Sequence, residues 1–276
     1  MRRSGWRFSR ELGQNFLIDP NTLDKIVAAA GLERDDVILE IGAGIGTLTV
    51  ELAPAVARVV TVEVDIRLAP ILAETLAPYD NVTLIMKDAM DFTQRDTGEI
   101  KPNKLVANLP YGVAAPVILR VFALFPEVKS MLVMVQREIA DRLTGRPGTK
   151  DYSAFTVKAA YYCRAERAMS VSRNAFTPAP NVDSAVIRLV RHKEPPVLTD
   201  RERLFALIAA GFSQRRKRLA NAVGAAMPAG GKEAVDEALR RIGLSENVRA
   251  EVLTLDDFGR LAGELGKYWN PRPQKG

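Results

Sequence analysis

The chain has 276 residues, 47% hydrophobic and 26% charged, the proportions of an ordinary folded protein with a sizeable core. Its 39 Lys and Arg exceed its 33 Asp and Glu, and the net charge of +6 suits a polyanionic partner such as nucleic acid. A single Cys (Cys163) and a single His (His192) exclude an internal disulfide and a cysteine-rich zinc site, and no apolar run approaches the roughly 18–20 residues a membrane span needs. A Ser-His-Asp triad would depend on His192, which lies in the polar run RHKEPP. The expectation is a cytoplasmic, reducing setting with no metal and no membrane.

The opening MRRSGWRFSR is a basic arm, residues 1–12, without the apolar stretch of a secretory signal. A motif beginning at Gly13 leaves little room for a removable leader. PNTLDKIVAAAG reads as a helix with Asn21 as N-cap and Gly31 as its end. Strands and helices then alternate. VILEI (Val37 to Ile41) is a short apolar run of the kind that forms a buried parallel strand, and a glycine turn leads from it to a helix at about Thr47. VVTVEV, VTLIM, KLVAN and SMLVMVQ are four further strands, with helices around Leu68 to Leu76 and Ala115 to Phe125. Gly145 to Ser153 (GRPGTKDYS) has the composition of a mobile loop. CRAERAMSV and DSAVIRLVR are longer strands, and the alternation of the second fits an antiparallel neighbour.

PPVLTD (Pro195 to Asp200) ends this pattern, and four helical segments follow: RERLFALIAAGF, QRRKRLANAVGAAM, EAVDEALRRIG and LDDFGRLAGELG. The sequence therefore predicts an α/β domain over residues 1–195, a mostly parallel sheet with helices on both faces, and an all-helical domain over 196–276.

The first strand of the sheet runs into Glu40-Ile41-Gly42-Ala43-Gly44-Ile45-Gly46. A dinucleotide fingerprint is G-x-G-x-x-G, spaced to seat a pyrophosphate on a helix N-terminus. Here the third glycine comes one residue early. The E-x-G-x-G-x-G turn resembles instead the first motif of class I S-adenosylmethionine (SAM) methyltransferases. That cofactor has no phosphate, and its amino group can be drawn to carboxylate and carbonyl oxygens near the turn. Glu63 ends the second strand, where a carboxylate can accept ribose hydroxyls. Asp88 follows the third, where it can accept from an adenine amine. Alone, Glu63 reads better as a solvated strand end and Asp88 as a helix cap; together with the glycines, at the ends of three successive strands, they read as a cofactor site.

The fourth strand ends in Asn108-Leu109-Pro110-Tyr111. This resembles the N/D-P-P-Y/F motif of methyltransferases acting on amines of nucleic-acid bases. An adenine amine is a poor nucleophile because its lone pair is delocalised into the ring. Two acceptors aimed at its N–H bonds favour the pyramidal geometry needed for attack. The Asn108 side-chain oxygen is one. The Leu109 carbonyl is the other, since Pro110 restricts Leu109 to an extended backbone. Tyr111 offers a flat face to a flipped-out base.

Gly13-Gln14-Asn15-Phe16-Leu17, Phe176-Thr177-Pro178-Ala179-Pro180-Asn181-Val182-Asp183-Ser184-Ala185, Phe212-Ser213-Gln214-Arg215-Arg216-Lys217, and Arg249-Ala250-Glu251 with Leu253-Thr254 extend the likeness from about Gly13 to Phe258. With these motifs in order, the chain resembles the KsgA (RsmA)/Dim1 family of rRNA adenine dimethyltransferases. The resemblance implies SAM-dependent dimethylation of two adjacent adenines near the 3′ end of small-subunit (16S) rRNA, in a pre-assembled 30S-type particle, by a monomer. It implies that Asn15, Leu17, Gly42, Gly44, Glu63, Asp88, Ala89 and Asn108 line the SAM pocket and that Asn108 to Tyr111 hold the target amine. It also implies that Arg215, Arg216, Lys217 and Arg218, on a helix, face RNA. Phe176 either flanks the target base or is a core aromatic. One departure stands out: where the family often has Ile-Ser or Ile-Thr after NLPY, this chain has Gly112-Val113-Ala114-Ala115-Pro116. The nearest alternative is an Erm-type methyltransferase of large-subunit rRNA; a non-catalytic nucleic-acid-binding factor is a further one.

Overall fold

The computed structural model describes residues 15–227 and 229–268 and divides into two compact units. The first takes the described residues up to Ala140 together with Arg164–Arg191; the second takes Asp141–Cys163 and the described residues from His192 onward. The basic arm, Gly13 and Gln14 lie outside the described residues. The expected boundary at 195/196 changes in two ways: the break falls at Arg191/His192, and a segment from the middle of the chain joins the helical unit.

The first unit contains β1 (Phe16–Leu17), α1 (Pro20–Ala30), β2 (Val37–Ile41), α2 (Thr47–Leu52), β3 (Arg58–Glu63), α3 (Ala69–Leu76), β4 (Val82–Met86), β5 (Lys104–Asn108), α4 (Ala114–Leu124) and β6 (Ser130–Gln136). After α5 (Arg137–Leu143) and α6 (Ala154–Tyr162) come β7 (Cys163–Val171), β8 (Phe176–Thr177) and β9 (Ser184–Arg191). Seven strands form one sheet in the order β4-β3-β2-β5-β6-β9-β7. From β4 to β6 every pairing is parallel, and β9 runs antiparallel to β6, as the alternation of DSAVIRLVR suggested. β1 and β8 make a separate antiparallel pair. This is the α/β sheet with helices that the strand–helix alternation predicted.

α1 starts differently from its expected form. Asp19, not Asn21, is the N-cap: its carboxylate accepts from the Thr22 backbone N–H at 2.9 Å. Pro20 takes the first helical position, where its missing N–H costs nothing. Gly31 ends the helix in the left-handed conformation, as expected.

Alternate strand residues Ile38, Val59, Val106, Leu132 and Val186 pack with Leu23, Ile26 and Leu48 from α1 and α2. Each such fully buried side chain contributes about 1.5–3 kcal/mol. The register sets Ile41 against Val62, Glu63 against Met86, and Asn108 against Met134. The carboxyl ends of β2, β3, β4 and β5 are thus level, at the place where strand order reverses between β2 and β5. Open α/β sheets bind ligands at such a reversal.

The second unit holds α6, α7 (Arg201–Ser213), α8 (Leu219–Ala226), α9 (Gly231–Arg241) and α10 (Leu255–Glu264). Its core joins Tyr152 and Val157 to Leu204, Leu207, Val223, Leu239, Phe258 and Leu261. The segment expected to be a mobile loop is tied down here. Gly148 N–H donates to the Glu251 carbonyl at 2.7 Å, and the Tyr152 hydroxyl donates to the Leu253 carbonyl at 2.6 Å. His192 belongs to the same unit: its backbone N–H donates to the Tyr162 carbonyl at 2.9 Å, and its ring Nε2 lies 3.2 Å from the Ala160 carbonyl. Among the described residues no helix is long and apolar enough to cross a membrane.

Candidate active site

A cavity of about 400 Å³ opens at the carboxyl ends of β2 to β5. Asn15, Leu17, Gly42, Gly44, Glu63, Asp88, Ala89, Asn108, Leu109, Pro110 and Tyr111 all line it. The sequence placed these residues on five separate segments, and the fold brings them to one wall.

The glycine turn is shaped by backbone as much as by space. Gly42, Gly44 and Gly46 have φ of 86°, 59° and 88°, where a side chain is strained. At Gly44 a Cβ would also stand 3.1 Å from the Phe16 ring, and at Gly42 one would meet Pro110 at 3.4 Å. Pro110 thus sits directly over the turn, so the two principal motifs touch.

Glu63 is held by three backbone N–H groups: Gly44 donates to Oε2 at 2.8 Å, and Val64 and Asp65 donate to Oε1 at 2.9 Å each. Burial pushes its carboxyl above the usual carboxylate range, against the pull of those bonds. A carboxylate has roughly four acceptor positions, so one remains on Oε2 for a ligand hydroxyl. Asp88, exposed after β4, accepts the Met90 N–H at 2.7 Å through Oδ1 and so also organises its own turn.

Asn108 has a different character. Its Nδ2 reaches the Asn15 carbonyl at 3.5 Å, which orients the amide, because the reverse orientation would set oxygen against oxygen. Its Oδ1 is buried and has no hydrogen-bond partner among the described residues. Such an atom is costly, by about 1–3 kcal/mol, unless something outside the chain satisfies it. Among the described residues nothing donates to the Leu109 carbonyl either. Tyr111 is half-buried, and its hydroxyl lies 3.0 Å from Ser184 Oγ.

Phe176 does not join this wall. Its side chain is 3% exposed and packs with Leu17, Leu23, Val171 and Ala175, while its backbone pairs with Leu17 in the β1–β8 ribbon. Of the two readings left open by the sequence, the structure has the core aromatic.

The basic run in the second unit is not helical. Residues 214–218 form a turn between α7 and α8, because Leu219 N–H is drawn to the Val248 carbonyl at 2.8 Å and the chain must bend to reach it. The turn divides the four cations. Arg215 Nη2 donates to the Lys150 and Tyr152 carbonyls at 3.0 and 2.9 Å, and Arg218 donates to the Glu246 carbonyl and reaches Asp236 at 3.1 Å. These two hold the unit together. Arg216 and Lys217 are exposed, with no ion-pair partner among the described residues.

A family model described as "Ribosomal RNA adenine dimethylase" matches residues 5–267. The chain belongs to the ribosomal RNA adenine dimethylase family. This adenine dimethylase is 44% identical over 271 residues to Ribosomal RNA small subunit methyltransferase A of Geobacillus thermodenitrificans, across 95% of this chain and 92% of that one. Its identity to the protein of the same name from Thermobifida fusca is 43% over 263 residues, across 94% and 90%. Among solved structures, a dimethyladenosine transferase from Plasmodium falciparum superposes with a TM-score of 0.79 at 28% identity, covering 91% of this chain and 98% of that one. The 23S rRNA methyltransferase ErmE superposes with a TM-score of 0.66, also at 28% identity, covering 91% and 100%. The sheet is that of the class I methyltransferases.

Two polar residues at the dimethylase site make contacts that no local signal in the sequence marks. Ser184 is buried beneath Tyr111. Glu40 is inside β2 and fully buried, and its Oε2 accepts from both Thr49 and Thr61 hydroxyls at 2.6 Å. Burial raises its carboxyl from 4.5 to about 7, with the negative Glu63 adding to the effect and the two hydroxyls opposing it. Between those values only the folded chain keeps the proton, so stability from this group falls as pH rises through that window. At 1.36 kcal/mol per pH unit the full effect is about 3 kcal/mol. Glu40→Gln, which keeps an oxygen for both threonines, is expected to flatten that fall. Urea unfolding of both proteins at pH 5 and pH 8 measures the difference.

Proposed function

We propose that this dimethylase uses SAM to convert two adjacent adenines near the 3′ end of small-subunit rRNA to N6,N6-dimethyladenine. The substrate is a pre-assembled 30S-type particle, and the enzyme acts as a monomer in the cytoplasm. The names of its relatives support the small-subunit target. The observation that carries the chemistry is the buried Asn108 Oδ1, without a partner among the described residues, in the same cavity as the glycine turn and Glu63.

The donor set fits SAM better than a dinucleotide. Glu63 and Asp88 would repel a pyrophosphate, whereas SAM carries positive charge and no phosphate. The cavity is also within the roughly 300–1,000 Å³ of small-molecule sites. Glu63 takes the ribose at its open position on Oε2, Asp88 and the neighbouring Ala89 take the adenine, and Glu40 and the turn face the amino-acid end. When bound, SAM supplies a methyl group on a good leaving group. In the first transfer Asn108 Oδ1 and the Leu109 carbonyl would accept the two N–H bonds of the target amine and leave its lone pair directed at the methyl; in the second they would hold the one N–H that remains, and the proton lost from nitrogen at each transfer passes to water. Tyr111 stacks on the extruded base, a contact worth about 1–3 kcal/mol. Positioning of this kind needs no strong general base.

The test is incubation with labelled SAM and unmethylated small subunits, with large-subunit RNA in parallel, and mass-spectrometric mapping of the product. Dimethyladenine in the small-subunit RNA is expected. Label in the large-subunit RNA would move the enzyme to the Erm-type target, and no label in either would overturn the proposal.

In the second unit, Arg216 and Lys217 are the pair free to meet phosphate. Their joint replacement by alanine is expected to reduce the slope of log affinity against log salt by about 1.5, as loss of two phosphate contacts requires. Arg215→Ala is expected to lower the melting temperature instead, since it releases the Lys150 and Tyr152 carbonyls.

A further inference from the structure

Ser184 opens β9 opposite Gln136 of β6, and the adjoining Asp183 carbonyl accepts the Arg137 N–H at 3.0 Å. It therefore stands on the rigid part of the sheet. Its side chain is 1% exposed, and its one polar contact among the described residues is the Tyr111 hydroxyl at 3.0 Å. A buried hydroxyl is costly unless paired, and the Tyr111 hydroxyl is the group that offsets that cost here. Tyr111, in contrast, stands on the irregular segment between β5 and α4. Its hydroxyl has no other hydrogen bond among the described residues.

A tyrosine ring has two soft torsions. The backbone fixes where the ring begins, and a bond to the hydroxyl at its far end fixes its plane. We infer that Ser184 is a positioning residue for methyl transfer: it holds the Tyr111 ring in the plane on which the extruded adenine stacks. Burial keeps the Tyr111 phenol protonated beyond the ordinary range, so the contact persists across any working pH. The inference rests on the proposed role of Tyr111 and adds to it a residue from β9.

The test combines kinetics with a direct view of the ring. Ser184→Ala is expected to lower kcat about 5- to 10-fold, the scale of one lost hydrogen bond, with SAM affinity unchanged. Tyr111→Phe should lose a similar factor, and the double variant should lose no more than either single one. In the protein labelled at tyrosine Cζ with carbon-13, the Tyr111 resonance is the one missing from Tyr111→Phe, and Ser184→Ala should shift or broaden it. Losses that multiply in the double variant, an unchanged kcat, an unmoved resonance, or a parallel fall in SAM affinity would each overturn the inference. If the parent enzyme itself transfers no methyl group to either RNA, the proposed function fails first and the inference falls with it.

Discussion

Asn108→Ala is expected to reduce methyl transfer by at least about 100-fold, the scale on which one preorganised polar group at a reacting centre acts, while leaving SAM affinity nearly intact. The reason lies in the two ends of the side chain. Nδ2 is spent on the Asn15 carbonyl at the edge of hydrogen-bond range, so little of the fold depends on it. Oδ1 is buried without a partner among the described residues, and its removal relieves the folded protein of an unsatisfied acceptor. The variant should therefore be at least as stable as the parent while nearly inactive. Single-turnover rates on small subunits, set beside thermal melting and calorimetric SAM titration, separate these effects. Turnover close to that of the parent would remove Asn108 from the reaction.

Glu63→Ala is expected to weaken SAM binding about 100-fold, with a smaller loss of stability. Two costs combine. The ribose loses a charged acceptor, worth about 1.5–3 kcal/mol, and the Gly44, Val64 and Asp65 N–H groups lose theirs. The Gly44 bond also couples the end of β3 to the turn after β2, so the turn loses a brace. Glu63→Gln should fall between the two, because one amide oxygen can still accept from part of this set. Calorimetry on all three proteins gives the order, and equal affinities would place the ribose elsewhere.

The sheet and most of this cavity were readable because the relevant signals are local. Short apolar runs marked β2 through β6, and E-x-G-x-G-x-G and Asn108 to Tyr111 each sit at a strand end where the reading put them. The features that were not readable depend on partners far away in the chain. Ser184 meets Tyr111 across 73 positions, and a lone serine in a strand gives no hint of that. The Gly145 to Ser153 segment has loop composition, yet the Tyr152 hydroxyl finds its acceptor 101 positions on. Arg and Lys favour helices, so the 214–218 run read as helical; the bond from Leu219 to Val248, invisible locally, bends it. Phe176 could be read either way, because an aromatic beside prolines packs inward or outward according to neighbours on α1.

Because Asp141–Cys163 lies in the helical unit, the polypeptide passes from one unit to the other three times, at 140/141, 163/164 and 191/192. The helical unit is therefore not a tail. A cut near Pro195 would strip away α7 to α10 and leave Tyr152 and Val157 with the core they belong to removed. Transplanting the unit onto another methyltransferase would take two inserted pieces joined at three seams. Gene fusion alone does not reach that, so in this architecture the helical unit is more accessible to change by substitution within it than by exchange of it.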